Sequence, residues 1–325
     1  MKEQSYLKII NETLSDNTFL GDDCAFLNPS VIGNNGLFIT QDTLVEDVHF
    51  SLSTTGALEL AKKAVNVNLS DLAAVCCKPL FLTISLSLPV YLDNCFVVEF
   101  YKGINDVCEN VGVKVVGGDI TGSDKVVISI CAVGQKIFDL DISRKYAKLG
   151  DVVATTGFHG DSAAGLKQLI MGIKNTELTK AHLLPQAQIE KAFELAKTSR
   201  MNGMNKFAMM DTSDGLGDAL YKISKDSNVS IECDFCDIPV SDSLKKEFPK
   251  NFEDYVLWGG EDFQLLFCVP HETFEKLDKT KFHKIGVVKE KKDDFFVKII
   301  FDKNELLINK ELFEEKSFNH FKTEG

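Results

Sequence analysis

The chain alternates short apolar runs with segments whose apolar residues are spaced as in a helix, which limits it to folds in which helices cover β-sheets. In the first half, Gly36–Val45 predicts a strand that runs into a polar end, and Thr55–Val75 predicts a helix. The other elements predicted there are strands over 81–89, 113–119 and 125–135 and a helix over 96–112. The first half is therefore predicted to form one α/β unit.

The same alternation begins again in the second half, after a polar stretch over 137–150. The elements predicted there are strands over 151–157, 229–235 and 263–269 and helices over 162–173 and 185–199. A chain of 325 residues exceeds what one hydrophobic core usually serves. We therefore predict a two-domain α/β (α+β) fold with mixed sheets flanked by helices, divided into residues 1–140 and 141–325.

Acidic residues recur beside Gly, Ser or Thr where apolar runs end, and we expect these places to be strand ends. Because strand ends that share one edge of a sheet gather ligands, the carboxylates are expected to meet there, where they suit Mg²⁺. Any one of these residues could instead be a helix cap or a turn residue, but their repetition favours a shared site. They are Asp22, Asp23, Asp42, Asp71, Asp119, Asp211 and Asp214, followed by Glu261 and Asp262 before a strand.

The stretch MMDTSDGLGDAL, which begins at Met209, carries three aspartates within eight residues, two of them among those just named. Asp211 is expected to end a strand and to bind metal. Ser213 and Asp214 are expected to begin a helix, where they can cap it and still face a nucleotide or a metal ion. Asp218 lies one turn further on and is expected to be a solvated helix residue.

The common catalytic motifs are missing from the sequence. The nearest approach to a phosphate-binding P-loop is GDSAAGLK at Gly160–Lys167, in which Leu166 displaces the lysine. We interpret it as a glycine-rich turn into a helix whose N-terminus can still meet an anion. Protein-kinase HRD and DFG motifs and a GxSxG nucleophile elbow are absent as well.

Composition excludes several broad classes of protein. The formal net charge of -12 argues against a generic binder of nucleic acid or of anionic membranes, because both need a positive face. The longest apolar stretch, Leu72–Val90, is interrupted by Lys78 and Pro79 and predicts a buried strand rather than a membrane span. Nine cysteines without a secretion signal indicate a reducing compartment. The protein is therefore expected to be cytoplasmic.

Seven segments, taken in order, resemble the thiamine-monophosphate kinase family of the aminoimidazole-ribonucleotide synthetase superfamily. They are GDDCAFL, ITQDTLVEDVHF, AVNVNLSDLAAV, VVGGDITGS, GDSAAGL, DTSDGL and GGEDFQLLF. The resemblance implies the superfamily fold, ATP-dependent phosphorylation of thiamine monophosphate to thiamine diphosphate, several Mg²⁺ ions and a homodimer. It also implies that residues 1–140 bind metal and ATP and form the dimer, while residues 141–325 complete the nucleotide and substrate site.

The resemblance also implies roles for individual residues. The implied metal ligands are Asp23, Thr40, Gln41, Asp42, Asp71, Asp119, Asp211 and Asp214, of which Asp42, Asp71, Asp119 and Asp211 are the implied catalytic residues. The implied ATP contacts are Tyr101, Gly118, Asp119, Arg144 and Ser213. The implied contacts to thiamine monophosphate are His49, Glu261 and Phe318.

Three of these residues keep a second interpretation. Gln41 stands where the family commonly has a small hydroxyl residue, so its contact can be made by the backbone instead. Phe318 lies in KSFNHF, which only loosely matches the family's C-terminal ending, and is either a lid on the thiamine ring or a packed tail residue. Arg144 either reaches a nucleotide phosphate or is a solvated linker residue.

Two alternatives to the kinase remain open. Other members of the superfamily include selenophosphate synthetase, which needs a reactive residue in an N-terminal glycine-rich loop, and the hydrogenase-maturation dehydratase, which ends in a reactive cysteine. Here Cys24 lies inside GDDCAFL and the chain ends in FKTEG. The other alternative is a non-catalytic protein that binds divalent cations or nucleotide without turnover.

Overall fold

The computed structural model describes residues 25–27 and 36–319, which form two mixed β-sheets flanked by helices, as predicted. The first sheet has five strands in the order β1-β2-β5-β3-β4, with β3 and β4 parallel and the other neighbours antiparallel. Its strands are β1 (Ala25–Leu27), β2 (Leu37–Val45), β3 (Lys78–Leu88), β4 (Lys114–Gly122) and β5 (Val127–Gln135). Its helices are α1 (Ala57–Ala74) and α2 (Asn94–Val111).

The second sheet has eight strands in the order β13-β12-β9-β11-β7-β10-β8-β6. Its strands are β6 (Asp141–Ile142), β7 (Val152–Thr155), β8 (Lys206–Asp211), β9 (Ser230–Asp234), β10 (Leu265–Val269), β11 (His283–Lys289), β12 (Val297–Ile300) and β13 (Glu305–Ile308). Its helices are α3 (Asp161–Ile170), α4 (Glu177–Leu183), α5 (Ile189–Met201), α6 (Leu216–Ser227), α7 (Asp242–Glu247), α8 (Phe252–Trp258), α9 (His271–Phe274) and α10 (Lys310–Lys316).

Burial within the strands follows the position of each strand in its sheet. Along β5, buried residues alternate with partly exposed ones, because helices cover only one face of the first sheet. Every residue of β7 and β10 is buried, because these central strands of the second sheet are covered on both faces. Edge strand β4 is exposed along its whole length.

Helix α1 connects the two halves of the molecule. It packs on β2 and β5 of the first sheet and also contacts β8, α4 and α5 from the second half. Most of its residues are therefore buried, including the polar side chains of Lys63, Asn68 and Ser70. This placement brings polar groups of α1 to both sheets. The division of the chain at residue 140 stays a prediction.

No helix among the described residues is both long and apolar enough to cross a membrane. The stretch Leu72–Val90, predicted to be a buried strand, forms the end of α1, a turn and strand β3, which includes Lys78 and Pro79 and alternates buried with exposed residues.

Candidate functional site

A cavity of about 660 Å³ is lined by residues from both halves of the chain. Four aspartates line it, together with a glutamate, a serine, a threonine, two histidines and a group of apolar side chains. Its polar lining residues include Asp42, Thr43, His49, Asp71, His182, Asp211, Ser213, Asp214 and Glu261, and its apolar ones are Leu44, Val45, Val48, Val67, Ala163, Leu166, Trp258, Phe263 and Phe318.

The four carboxylates come from four different segments. Asp211 ends β8, as predicted. The expectation of strand ends is wrong for Asp42 and Asp119, which lie within β2 and β4, and for Asp71, which lies on α1. A strand with one uncovered face keeps polar residues within its length, so the break in an apolar run did not mark its end. Asp214, the last of the four aspartates that line the cavity, lies just before α6.

Side chains near the end of α1 hold the acidic groups in place. The Thr40 hydroxyl donates to Asp71 Oδ2 over 2.5 Å, which ties β2 to the helix. The Ser70 hydroxyl donates to Asp211 Oδ2 over 2.6 Å, which ties the helix to β8. The backbone N–H of Asp42 donates to Asn68 Oδ1 over 3.0 Å. Helix α1 therefore sets the spacing of carboxylates that belong to both sheets.

The carboxylates place several negative charges around the cavity. Burial raises the pKa of Asp211 to about 6, with the charges of Asp42 and Asp214 acting in the same direction and the Ser70 hydroxyl opposing them. Bound cations would offset this charge. Among the residues that the structure describes, no three His, Cys, Asp or Glu side chains form a closed group around one metal position. Carboxylate oxygens are the donors that a hard cation such as Mg²⁺ prefers, together with waters and phosphate oxygens.

The prediction that Ser213 and Asp214 cap a helix is wrong. Helix α6 begins at Leu216, its N-cap is Gly215, and no side chain caps it. Gly215 adopts φ of 105°, and a Cβ there would lie 3.0 Å from the Gly259 carbonyl oxygen, so only glycine fits this turn. Ser213 and Asp214 lie before this turn and line the cavity.

Asp218 is buried, contrary to the expectation of a solvated residue. Its position on the inner face of α6 places its carboxylate 2.7 Å from Lys222 Nζ, one helical turn further on. The same ammonium group lies 3.0 Å from Asp214 Oδ2. Lys222 therefore links a cavity carboxylate to a buried one.

The cavity lining also contains aromatic residues and the three predicted substrate residues. Phe318, about half of whose surface is exposed, lines it, as do Trp258 and Phe263. His49 Nδ1 accepts a hydrogen bond from the Val45 N–H over 3.0 Å, which fixes the orientation of its ring. The cavity lining therefore combines acidic side chains with apolar and aromatic ones.

Glu261 belongs to a buried polar cluster that the sequence did not predict. Its carboxylate contacts Lys63 on α1 and His182 on α4, at 2.9 and 3.4 Å. Burial raises the pKa of Glu261, but the charges of Lys63 and His182 outweigh this effect and leave the pKa below its ordinary value. The only available signal was that Lys63 lies on the apolar face of α1, three residues after Leu60 and four before Val67.

The glycine-rich turn before α3 meets an internal anion. The carboxylate of Asp262 accepts hydrogen bonds from the backbone N–H groups of Gly160 and Ser162, at 2.6 and 3.0 Å. The helix N-terminus thus binds a carboxylate of its own chain. Burial raises the pKa of Asp262 to about 7, opposed by these two hydrogen bonds.

The other predicted site residues do not line the cavity. Gly118 and Asp119 lie on the exposed edge strand β4, and Tyr101 packs edge-on against Phe100 on α2. Arg144 Nε lies 3.4 Å from an Asp226 carboxylate oxygen.

Three predicted metal ligands have separate placements. Gln41 Nε2 donates to Ser129 Oγ on an exposed part of the first sheet. Thr40 contacts the cavity through Asp71, to which its hydroxyl donates. Asp23, like Asp22, lies outside the described residues.

The chain is similar to known proteins over most of its length. A family model described as AIR synthase related protein, N-terminal domain, matches residues 21–135. The thiamine-monophosphate kinase of Aquifex aeolicus is 36% identical over 89% of this chain and 92% of that protein. The thiamine-monophosphate kinase of Haemophilus influenzae is 33% identical over 93% of this chain and 91% of that protein.

A solved structure described as "AaThiL complexed with AMPPCP and TMP" has the same fold. It superimposes with a TM-score of 0.81 at 32% sequence identity and covers 94% of this chain and 96% of its own. The similarity therefore extends over both sheets and the cavity between them.

Proposed function

The chain belongs to the thiamine-monophosphate kinase family, and we propose that its cavity carries out the ATP-dependent phosphorylation of thiamine monophosphate to thiamine diphosphate. The observation that carries the proposal is that one cavity is lined both by carboxylates and by apolar and aromatic side chains. The carboxylates suit metal-bound phosphates, and the apolar and aromatic side chains suit the thiamine rings.

The chemical step is a direct in-line transfer. A phosphate oxygen of thiamine monophosphate attacks the γ-phosphorus of ATP, the bond from that phosphorus to the β,γ-bridging oxygen breaks, and ADP leaves with the electron pair. The attacking oxygen is already ionised near neutral pH, so the enzyme needs no strong general base. This agrees with the two cavity histidines: His49 Nδ1 is occupied by a backbone N–H, and burial lowers the pKa of His182 to about 4.

Asp42, Asp71, Asp211 and Asp214 are the proposed Mg²⁺ ligands that line the cavity. Asp23, Thr40, Gln41 and Asp119 stay predicted ligands. Bound Mg²⁺ would supply charge neutralisation to phosphate groups that otherwise repel one another. The chain's own contribution is to hold the carboxylates in place, through Thr40 on Asp71 and Ser70 on Asp211.

The nucleotide contacts are proposed to involve Ser213, which lines the cavity, and Tyr101, Gly118, Asp119 and Arg144, which do not. The contacts to thiamine monophosphate are proposed to involve His49, Glu261 and Phe318, all of which line the cavity. For Phe318, its exposed ring at the cavity wall supports a role as a lid on the thiamine ring.

We also propose that the protein forms a homodimer through the edge of the first sheet. Strand β4 is exposed, and three of its apolar side chains, Val115, Val116 and Ile120, are exposed with it. An edge strand with unpaired backbone groups and apolar side chains is a surface that pairs with another chain.

The reaction itself is tested with purified protein, ATP, Mg²⁺ and thiamine monophosphate, by chromatographic detection of thiamine diphosphate. The proposal expects product that depends on all three components. Nucleotide binding without product would support the non-catalytic alternative and overturn the proposal.

A further inference from the structure

Lys63 is a buried lysine in the middle of the molecule. Its side chain is 1% exposed, and among the described residues it is the only lysine or arginine in the buried class. Removing an ammonium group from water costs several kcal/mol unless hydrogen-bonded partners compensate for it. The groups around a buried lysine must therefore compensate for its charge.

The partners of Lys63 lie on the wall of the cavity. Its Nζ donates to Glu261 Oε2 over 2.9 Å and lies 3.5 Å from His182 Nε2. His182 Nδ1 lies 3.4 Å from the same Glu261 oxygen and 3.1 Å from Ser162 Oγ. If Nε2 accepts from the lysine, Nδ1 carries the proton and donates to Ser162 Oγ, its hydrogen-bond partner. Lys63 is thus the donor to Glu261 Oε2, and His182, held by Ser162, packs beside the pair.

Glu261 is held firmly on its backbone side as well. It adopts φ of 67°, in the left-handed region, and its N–H donates to the Ser213 carbonyl over 2.7 Å. Both side-chain contacts use Oε2, and Oε1 makes no hydrogen bond with any residue that the structure describes. Because the side chain is 26% exposed and lines the cavity, Oε1 is the oxygen left for a ligand.

We propose that Lys63, assisted by His182, is a positioning residue for substrate recognition that fixes Glu261 so that Oε1 accepts a hydrogen bond from the ring portion of the substrate. The ligand chemistry is an amino-substituted heteroaromatic ring, which the proposed function supplies as the pyrimidine of thiamine monophosphate. The inference rests on that function. Lys63 acts through Glu261 and touches neither substrate nor nucleotide.

A purely structural role for Lys63 predicts a different outcome. Lys63 and Glu261 are 198 residues apart and join α1 to the second half of the chain. Loss of a purely structural ion pair would therefore change the KM for thiamine monophosphate and the KM for ATP alike. Loss of a positioning residue would instead weaken binding of thiamine monophosphate and spare binding of the nucleotide. The ratio of the two KM values therefore separates the two roles.

The experiment compares Lys63→Met with Lys62→Met in the full-length protein. Lys62 precedes Lys63 on α1 and pairs with Asp106 at the surface, so it controls for removal of a lysine from this helix. We expect Lys63→Met to raise the KM for thiamine monophosphate by about tenfold or more, since a misplaced acceptor leaves a ligand donor unpaired, while the KM for ATP changes less than about twofold. Calorimetric Kd values for thiamine monophosphate should follow the KM, and Lys63→Arg should recover part of the loss.

Equal increases in both KM values, or no increase beyond that of Lys62→Met, would overturn the proposal. If Lys63→Met does not fold because Glu261 is left unpaired, the double variant Lys63→Met/Glu261→Gln removes that charge. Its KM for thiamine monophosphate should match that of Glu261→Gln alone, and a further rise of about fivefold would show that Lys63 acts without Glu261. Failure of the proposed function is distinct, because the unaltered protein would then form no thiamine diphosphate.

Discussion

At the scale of single residues, the function depends on where carboxylates are held. Asp71 and Asp211 each accept a hydroxyl hydrogen bond, from Thr40 and Ser70 respectively. An amide oxygen can accept the same bond without carrying the charge. Substitution of Asp by Asn therefore separates the charge of each site from its geometry.

Asp71→Asn is expected to reduce kcat by about 100-fold or more, because it removes charge that holds the phosphates through metal, while the Thr40 hydrogen bond preserves the fold. Steady-state kinetics and a thermal melt would measure the two effects. Asp106→Asn, which alters a half-exposed carboxylate paired with Lys62, serves as the control and should leave kcat unchanged. Near-normal turnover by Asp71→Asn would contradict the proposed role of Asp71 as a metal ligand.

A second residue-scale prediction concerns His159. Burial, with a smaller contribution from the charge of His283, lowers its pKa to about 3, and its Nε2 lies 2.8 Å from Thr155 Oγ1. The folded protein therefore keeps His159 neutral, whereas the unfolded chain takes up a proton below about pH 6.5. Its contribution to stability is present above pH 6.5 and is lost as the pH falls toward 3.

The stability advantage of the unaltered protein over His159→Gln should therefore shrink by about 2 kcal/mol between pH 7 and pH 5. Urea unfolding at the two pH values measures this difference. Parallel losses in both proteins would show that His159 is not the group responsible.

The aspartates of the cavity could be predicted from the sequence, whereas the buried charged residues could not. Asp42, Asp71, Asp211 and Asp214 were identified by type and spacing, and all four line the cavity. The cluster of Lys63, His182 and Glu261 was not identified from the sequence, because its members lie in three separate segments that only tertiary packing brings together. Asp218 was misjudged for the same reason, since its burial depends on the packing of α6.

At the scale of elements, the apolar pattern predicted the longer strands and helices, but it did not predict the short β1 and β6, the strands β11, β12 and β13 or the short helices α7 to α10. The predicted strand Gly36–Val45 is β2, and the predicted helix Thr55–Val75 is α1, with ends that shift by at most two residues. Helix α4 was not predicted, because its seven residues are too few to show a helical period. Its capping box at Thr176 and Thr179 defines it locally instead.

The contact between α3 and α4 gives an element-scale prediction. A Cβ on Gly165 would lie 2.0 Å from the Leu178 carbonyl oxygen, so α4 can approach α3 only where glycine stands. Helix propensity alone would favour alanine by about 1 kcal/mol, but the overlap with backbone is expected to win and lower stability by about 1–3 kcal/mol.

Thermal or urea unfolding of Gly165→Ala would measure this loss. Gly117→Ala on β4 is the control, because a Cβ there meets nothing within 4 Å. A Gly165→Ala protein as stable as the unaltered one would contradict the close approach of the two helices.

At the scale of the whole molecule, α1 joins the two sheets, and one cavity is lined by residues from both halves of the chain, including Asp42 of the first sheet and Asp211 of the second. The class of fold followed from the alternation of elements. The arrangement of both sheets around α1 could not be predicted from the sequence, because periodicity shows that a face is buried without showing what covers it. The homodimer and the cytoplasmic location stay predictions.

The homodimer proposal predicts a sedimentation mass of about twice the 36.1 kDa of one chain. Val116→Lys combined with Ile120→Lys should shift the protein toward monomer, because it places two charges on the exposed edge strand. Val98→Lys, at an exposed position on α2, is the control and should leave the mass unchanged. A monomeric unaltered protein at micromolar concentration would contradict the proposal.

The central claim is that this cavity transfers a phosphoryl group directly from ATP to thiamine monophosphate. The most direct measurement follows the label from γ-labelled ATP in a single turnover, quenched with acid. We predict that the label appears in thiamine diphosphate as it leaves ATP, with none bound to protein. Labelled protein that forms before product, or labelled inorganic phosphate without thiamine diphosphate, would contradict the account.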